Sequence, residues 1–301
     1  MTKQRRYSFF IVTIVYLIAT LIGVGIYLML PFDVWLKVLI ADIVATVVVF
    51  IFSLIFKNAS MYDPYWSVQP MIIVGAFAIA KGLSWTGVGI LLVIFLWGIR
   101  LTANWAYTFH GLKHQDWRYT MLQEQTGIFY PLINFLGIHM VPTLVVYLAV
   151  MPAVNILCVK PEFTPFCLLG IIISLIGTIL QGIADCQMHL FRKLKAEGKA
   201  MGFIRLGVWK HARHPNYLGE ILMWWGVGAT AFASMPTNWF LFIGALVNTL
   251  LFVCVSLPLA EGRLSKRVGY SEYKSETRIL LPIPKFFTKN ILTQEEKNAT
   301  I

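Results

Sequence analysis

Long apolar runs separated by short polar segments make up most of the chain. A helix needs about 20 predominantly apolar residues to cross a bilayer, and scanning for runs of that length predicts up to eight membrane helices. They lie at about 7–30, 35–56, 69–84, 86–107, 129–151, 166–190, 217–235 and 238–260. Lys81 interrupts the third run, and only a short connection follows it. The pattern therefore predicts an all-α, polytopic membrane bundle of seven to eight helices.

The positions of Lys and Arg predict the orientation of this bundle. With eight helices and the N-terminus inside, the basic residues fall at the N-terminus, at Lys57, in the 108–128 and 191–216 loops and after residue 261. Among the loops on the opposite side, only Lys160 is basic. Because Lys and Arg collect in the cytoplasmic loops of membrane proteins, both termini are predicted to be cytoplasmic.

Composition supports the membrane class and excludes others. Of the 301 residues, 58% are hydrophobic, and the mean hydropathy is +0.71, outside the usual range of soluble domains. The net charge of +11 is divided among several short loops, so no nucleic-acid partner is predicted. The four cysteines are scattered without CxxC spacing, and neither a metal site nor a disulfide framework is predicted.

One integral-membrane domain is predicted over residues 1–287, followed by a polar tail over 288–301 that is expected to be disordered. The first apolar run follows basic residues but extends to about Leu30 without a small-residue cleavage pattern. It therefore predicts a membrane helix rather than a removed signal. The expected partner is the lipid bilayer of a bacterial inner membrane or, in a eukaryote, of the endoplasmic reticulum.

An acid among aromatic residues follows the second predicted helix. Asp63 lies between Tyr62 and Tyr65 in the segment KNASMYDPYWSVQP. An interfacial aromatic belt accounts for the tyrosines, because Tyr and Trp prefer that depth. It does not account for the acid, which needs a partner near hydrocarbon.

Two predicted helices carry ionisable residues at membrane depth. Arg100 lies near the end of the fourth helix, and Asp185 shares a stripe of the sixth helix with Gln181 and Arg192. Ionisable residues inside a membrane usually face the protein interior and mark functional sites. Arg100 is interpreted either as a cation that extends to the membrane surface or as a functional residue, and Asp185 is interpreted as functional.

The stretch GVWKHARHPNYLGEILMWWGVG, residues 207–228, joins a basic aromatic loop to an apolar helix. Pro215 suits the first turn of that helix, and Asn216 and Glu220 are four residues apart on one face. Glu220 lies inside the predicted membrane edge and needs protonation, a partner or a ligand. The clustered cations before the helix indicate an anionic ligand.

Three segments, ADCQMHLFR, GVWKHARHPNYLGE and EGRLSKRVGYSEYKSETRILLP, occur in this order. Together they resemble the C-terminal half of the steroid 5-alpha-reductase superfamily, which includes the sterol delta-14 and delta-7 reductases, over about residues 180–285. NASMYDPYWSVQP and RLTANWAYTFHGLKHQDWRY resemble an uncharacterised, mostly bacterial-type branch grouped with those enzymes. The resemblance implies a membrane reductase that uses NADPH to saturate a C=C bond of a hydrophobic small molecule, in steroid reductases one conjugated to a ketone.

The resemblance also implies a cofactor site. Asn216 and Glu220 would lie at the nicotinamide and ribose end of NADPH, and further residues would line the pocket or face the phosphates. These are Asp185, Gln187, Arg192, Trp209, Lys210, His211, Arg213, His214, Tyr217, Glu261, Arg263 and Tyr273. The acid and tyrosine that polarise the ketone in the steroid enzymes have no upstream match here. Asp63, Tyr62, Tyr65 and Tyr107 are the candidate substitutes, and Asp63, Tyr65 and Glu220 are predicted to be catalytic.

Two other functions stay open. Isoprenylcysteine carboxyl methyltransferases, which bind S-adenosylmethionine, also carry an RHPxYxG motif, a downstream Glu and a Y-x-x-Y ending. The residues that match are Arg213, His214, Pro215, Tyr217, Gly219 and Glu261. The polar stripe of the sixth helix, Asn216 and the upstream segments favour the reductase. The other alternative is a non-catalytic membrane protein, which would bind neither ligand.

Overall fold

The computed structural model describes residues 2–283, so the tail predicted over 288–301 and the last residues of the predicted domain lie outside the described part. The described chain consists of helices, with one isolated β-bridge between Ala212 and Arg278. In chain order, helices α1–α12 are Lys3–Met29, Val34–Ile55, Tyr65–Lys81, Trp85–Thr108, Trp117–Thr126, Tyr130–Ile133, Val141–Val159, Pro165–Ala196, Pro215–Ser234, Ile243–Leu251, Leu257–Leu264 and Tyr270–Glu276. The predicted all-α fold is confirmed.

Six helical stretches within residues 2–283 are long and apolar enough to cross a membrane. They are Lys3–Met29, Val34–Ile55, Trp85–Thr108, Trp117–Val159, Pro165–Ala196 and Pro236–Leu264. The two remaining predicted membrane helices are present as α3, which has only 17 residues, and α9, which has 20. The chain is therefore an integral membrane protein, and seven to eight helices roughly agrees with what is found. Which side is cytoplasmic stays a prediction of the charge pattern.

Helices α8 and α9 pack with their backbones in contact. Gly170 and Gly177 of α8 face Gly226 and Gly219 of α9, and a Cβ added at Gly226 would lie 2.5 Å from the carbonyl oxygen of Gly170. Small residues allow membrane helices to approach closely and to gain van der Waals contact, which takes over from the hydrophobic effect in lipid. This close pair holds the polar residues of both helices in fixed positions.

The segment between α2 and α3 turns back into the bundle. Met61 and Tyr62 are buried, and the Tyr16 hydroxyl donates to the Met61 carbonyl over 2.7 Å. Tyr16 is 13 residues beyond the first residue of α1, which places it about 20 Å along the helix axis. Helix α3 therefore begins inside the bundle, which explains its short length. The interfacial-belt interpretation is wrong for Tyr62 and Tyr65, which are both buried.

The largest apolar cluster lies where the central helices meet. Trp97 of α4 and Trp224 of α9 are fully buried at this point, with their ring centroids 4.9 Å apart in an edge-to-face arrangement. Aromatic pairs of this geometry contribute about 0.5–1.5 kcal/mol beyond their buried area. The two indole N–H groups also need partners, and both donate to Glu220, whose contacts are described below.

The α8–α9 contact predicts a strong effect of a single methyl group. Gly226→Ala places a Cβ 2.3 Å from Ser174 Oγ and 2.5 Å from the Gly170 carbonyl, and overpacking of this kind costs about 1–3 kcal/mol. We expect a lower thermal midpoint for the purified protein in detergent. Gly182→Ala on α8 is the matched control, because nothing lies within 4 Å of its added Cβ. Equal midpoints for the two variants would contradict the close packing.

Candidate functional site

A cavity of about 350 Å³ lies beside the segment that follows α8. We call it the basic cavity, because its lining includes five cations and, among the described residues, no Asp or Glu. The cations are Arg192, Lys195, Arg213, Arg263 and Arg267. Asn216 and several aromatic residues complete the part of the wall that bears on its chemistry; the aromatic residues are Trp117, Trp209, Tyr217, Tyr270 and Tyr273.

The wall formed by residues 207–210 is fixed to α8 by two side chains. Gln187 Oε1 accepts a hydrogen bond from the Val208 backbone N–H over 3.0 Å, and Trp209 Nε1 donates to the Ala184 carbonyl over 3.1 Å. Gly207 has φ +59°, a left-handed conformation that suits glycine. The chain therefore reverses tightly against α8 and places the Trp209 ring in the cavity wall.

Glu261 of α11 is the central acceptor behind this wall. Arg213 donates to both of its oxygens, Nε to Oε1 over 3.0 Å and Nη2 to Oε2 over 3.2 Å. His214 Nε2 lies 2.7 Å from Oε1, and the Tyr270 hydroxyl donates to the same oxygen over 2.6 Å. The charge of Arg213 is thus neutralised by a bidentate pair, a geometry specific to arginine.

The same cluster attaches α12 to the membrane helices. Arg213 Nη1 also donates to the Thr277 carbonyl, and the Arg213 backbone N–H donates to the Arg278 carbonyl over 3.0 Å. The Tyr273 hydroxyl donates to the Trp209 carbonyl. Burial raises the pKa of Tyr273 to about 12, so its hydroxyl remains a donor at neutral pH. Helix α12 therefore closes one side of the basic cavity.

The other four cations of the basic cavity have no carboxylate partner among the described residues. Arg192 makes no ion pair within 4.0 Å there, although it interacts electrostatically with Asp185 and His189 on the same helix. Arg263 stacks over the Trp117 ring with 4.1 Å between its guanidinium carbon and the ring centroid. Lys195 and Arg267 each donate to the carbonyl of Gly202, over 2.9 and 2.8 Å. The cavity therefore keeps a positive charge that an anionic ligand would neutralise.

Two of the predicted site residues belong to a separate network deeper in the bundle. Asp185 forms an ion pair with Arg100, whose Nη1 lies 2.7 Å from Oδ2. Glu220 is buried and accepts from Trp97 Nε1 and Gln181 Nε2, each over 2.8 Å. Trp224 Nε1 donates to its other oxygen over 2.9 Å. The partner that Glu220 requires is thus supplied by the protein, and Arg100 is paired rather than extended to the membrane surface.

The remaining predicted residues divide by position. Those that line the basic cavity are Arg192, Trp209, Arg213, His214, Asn216, Tyr217, Arg263 and Tyr273. Lys210 and His211 are exposed and do not line it. Gln187 and Glu261 do not line the cavity, but their hydrogen bonds to Val208 and Arg213 hold its wall in place. One atom of the lining stands out, because Asn216 Oδ1 is buried without a hydrogen-bond partner among residues 2–283.

Asp63 and Tyr65 do not share a site. Asp63 Oδ1 accepts from the Tyr119 hydroxyl over 2.5 Å, and burial raises the pKa of Asp63 to about 6, although Arg118 and that hydrogen bond act in the opposite direction. The Tyr65 hydroxyl instead donates to Asp42 Oδ1 over 2.8 Å. Sequence reasoning missed Asp42; its signal was a lone acid within the apolar run of the second helix.

Asp42 and Tyr65 border a second cavity of about 250 Å³ between α1, α2 and α3. We call it the lipid-side cavity, because its walls are mostly apolar and α1, which forms one of them, is the least buried of the six candidate membrane helices within residues 2–283. Gln69 also lines it and donates from Nε2 to Asp42 Oδ2 over 2.6 Å. Asp42, Tyr65 and Gln69 therefore form a polar cluster at one end of a mostly apolar cavity, with Lys81 at the other end and Thr20 between them.

Comparison with known proteins gives one match. The family described as "Protein of unknown function (DUF1295)" matches residues 49–277. The chain belongs to this DUF1295 family. No curated protein and no solved structure matches it. The residues quoted above for the basic cavity fall within the DUF1295 match, whereas α1 and Asp42, which border the lipid-side cavity, precede it.

The Glu261 cluster predicts that α12 depends on one carboxylate. Glu261→Gln removes the charge that neutralises buried Arg213, and breaking a buried ion pair costs about 3–5 kcal/mol. We expect faster backbone hydrogen exchange over residues 270–279 and a lower thermal midpoint. Glu272→Gln on α12 is the control, because this exposed residue pairs only with Arg205 over 3.5 Å. Unchanged exchange in Glu261→Gln would show that α12 is held by other contacts.

Proposed function

We propose that the chain is a membrane-embedded, NADPH-dependent reductase that saturates a C=C bond of a lipid-soluble substrate. One observation carries the proposal: the basic cavity presents four cations without a carboxylate partner among the described residues, beside aromatic faces. Arginine pairs with phosphate oxygens through its planar fork, and Lys binds them as a point charge. A ligand with a pyrophosphate and a 2′-phosphate matches this arrangement.

The residues present fit such a dinucleotide in three respects. Arg192 lines the cavity, and the carboxylate with which it interacts electrostatically, Asp185, forms its ion pair with Arg100, so the Arg192 guanidinium is available to a phosphate. Asn216 Oδ1 is a buried acceptor without a partner among residues 2–283, which suits an amide N–H or a ribose hydroxyl of the ligand. The cavity of about 350 Å³ lies at the lower end of the range for ligand sites, about 300–1,000 Å³, so it has room for part of a dinucleotide.

When bound, NADPH would supply a hydride to the substrate. The chain would hold the phosphates with Arg192, Arg263 and Arg267 and exclude water with its aromatic residues. Glu220, whose oxygens are occupied by protein donors, would fix α4, α8 and α9 relative to one another. The apolar lipid-side cavity offers a place for a substrate that arrives from the bilayer.

Family membership supports the same proposal. The DUF1295 family is associated with steroid 5-alpha-reductase-like proteins, in agreement with the three segments that resemble that superfamily. An enone is the type of C=C bond that this resemblance implies.

Charge also separates this proposal from the methyltransferase alternative. Two of the three charged groups of S-adenosylmethionine, its sulfonium and its ammonium, are cations and the third is a carboxylate, whereas the charged groups of NADPH are its phosphates. Carboxylates beside the two cations would favour S-adenosylmethionine. No carboxylate lines the basic cavity among the described residues, and Glu261 is occupied by Arg213, His214 and Tyr270. The geometry therefore favours the anionic dinucleotide.

Calorimetric titration of the protein in nanodiscs tests the proposal. We expect NADPH to bind more tightly than NADH, because only NADPH has the 2′-phosphate, and we expect the affinity to fall as salt screens the cations. Arg192→Ala and Arg263→Ala should each weaken NADPH binding about 10- to 100-fold, the equivalent of one charge-assisted hydrogen bond.

Lys193→Ala is the matched control, because Lys193 is an exposed cation beside Arg192 that does not line the cavity. The Lys193→Ala variant should bind NADPH with the affinity of the wild-type protein. Binding of S-adenosylmethionine instead of NADPH would support the methyltransferase. Binding of neither ligand would support the non-catalytic alternative, and either result would overturn the reductase.

A further inference from the structure

We propose that the lipid-side cavity binds an elongated apolar molecule that carries a hydroxyl group at its buried end, where Gln69 accepts the hydroxyl hydrogen bond. The proposal rests on the proposed function only in naming this molecule as the substrate. It fixes the polar group at one end of the molecule and leaves open the position of the reducible bond.

The shape of the lipid-side cavity calls for a long ligand. Its lining follows α3 from Tyr65 to Lys81 and α1 from Tyr16 to Leu28. The 16 steps from residue 65 to residue 81 correspond to about 24 Å of helix axis. Between these ends the walls are aliphatic or aromatic except at Thr20, with Val68, Ile72 and Phe77 among them, so a slender apolar body fits.

Two donors at the polar end are directed to the Asp42 carboxylate. The Tyr65 hydroxyl donates to Asp42 Oδ1 over 2.8 Å, and Gln69 Nε2 donates to Asp42 Oδ2 over 2.6 Å. The second contact fixes the orientation of the Gln69 amide, because its NH₂ group and not its oxygen must face the carboxylate. Gln69 Oε1 is then an acceptor.

This acceptor has no hydrogen-bond partner within residues 2–283. Gln69 is only 6% exposed, and its Oε1 atom is buried. A buried acceptor left without a partner costs about 1–3 kcal/mol, and in hydrocarbon no water relieves that cost. A ligand hydroxyl would satisfy it by donating to Oε1, with the Asp42 carboxylate as a second acceptor nearby.

The same accounting excludes two other kinds of ligand. A ketone or ester oxygen only accepts hydrogen bonds, so it would leave Gln69 Oε1 without a donor. A plain hydrocarbon tail would fill the apolar part of the cavity and leave Gln69 Oε1 unsatisfied. Hydrogen-bonding sites that are built for a hydroxyl discriminate strongly against analogues that lack it.

Photolabelling in nanodiscs tests the proposal with two probes that differ in one donor. The probes are hexadecan-1-ol and hexadecyl methyl ether, each with a mid-chain diazirine, applied without NADPH. Labelled peptides from α1, α2 and α3 are then measured by mass spectrometry. We expect the alcohol to label these helices about 3- to 10-fold more than the ether, as one net hydrogen bond allows.

Gln69→Leu should abolish this preference, whereas Ile72→Val, one turn along the same lining, should retain it. The comparison of the two probes on the wild-type protein needs no variant, so it decides the matter even if Gln69→Leu does not fold. Equal labelling by alcohol and ether, or a preference that survives Gln69→Leu in folded protein, would overturn the proposal.

The outcome is separable from that of the reductase proposal. If the alcohol is preferred but NADPH does not bind in the calorimetric experiment, the hydroxyl site stands and its identification as a substrate site falls. If NADPH binds and the probes label equally, the reductase stands and the hydroxyl inference falls.

Discussion

The bidentate pair between Arg213 and Glu261 is the interaction on which the proposed chemistry depends. Glu261 also accepts hydrogen bonds from His214 and Tyr270, so one carboxylate joins the motif loop, α11 and α12. Because Glu261 is paired with Arg213, it does not neutralise the other four cations of the basic cavity. The positive charge of that cavity therefore results from how the acids of the neighbouring helices are paired.

In the deeper network the acids are likewise paired within the protein. Asp185 and Glu220 surround Arg100, with Nη atoms 2.7 and 3.9 Å from the two carboxylates. Gln181 accepts from Arg100 and donates to Glu220, and the two indoles complete the shell. Buried charges in hydrocarbon are tolerated only when they are paired and hydrogen-bonded. The network thus stabilises the contact of α4 with the α8–α9 pair, against which the basic cavity is built.

Much of this architecture follows from the sequence alone, because few backbone structures are stable inside a bilayer. Backbone groups in lipid must be satisfied within helices, so long apolar runs predict the helical bundle. The shared face of Asn216 and Glu220 follows from helical spacing. Side-chain direction in an irregular loop does not follow from spacing, which is why Lys210 and His211 are exposed although Trp209 and Arg213 line the cavity.

Other features depended on tertiary contacts that the pattern does not contain. The tyrosines at 62 and 65 have the composition of an interfacial belt, yet the loop re-enters the bundle because Tyr16 and Thr143 hydrogen-bond to it. Trp97 appears in sequence as an ordinary apolar residue, and only packing against α9 shows that it donates to Glu220. Asp42 of α2 accepts hydrogen bonds from Tyr65 and Gln69 of α3, and the sequence pattern does not show that these helices meet there.

The two cavities serve different chemistry within one bundle. The basic cavity lies between the ends of α8, α9 and α11 and suits a charged, water-soluble ligand. The lipid-side cavity lies between α1, α2 and α3 and suits a molecule that dissolves in the bilayer.

The central claim is that the basic cavity holds the phosphates of NADPH. The most direct measurement is an electron cryomicroscopy structure of the protein in nanodiscs with saturating NADPH. The account predicts dinucleotide density in the basic cavity, with phosphate oxygens within hydrogen-bond distance of Arg192 or Arg263. Density for the nucleotide elsewhere on the protein, with the basic cavity unchanged, would contradict it.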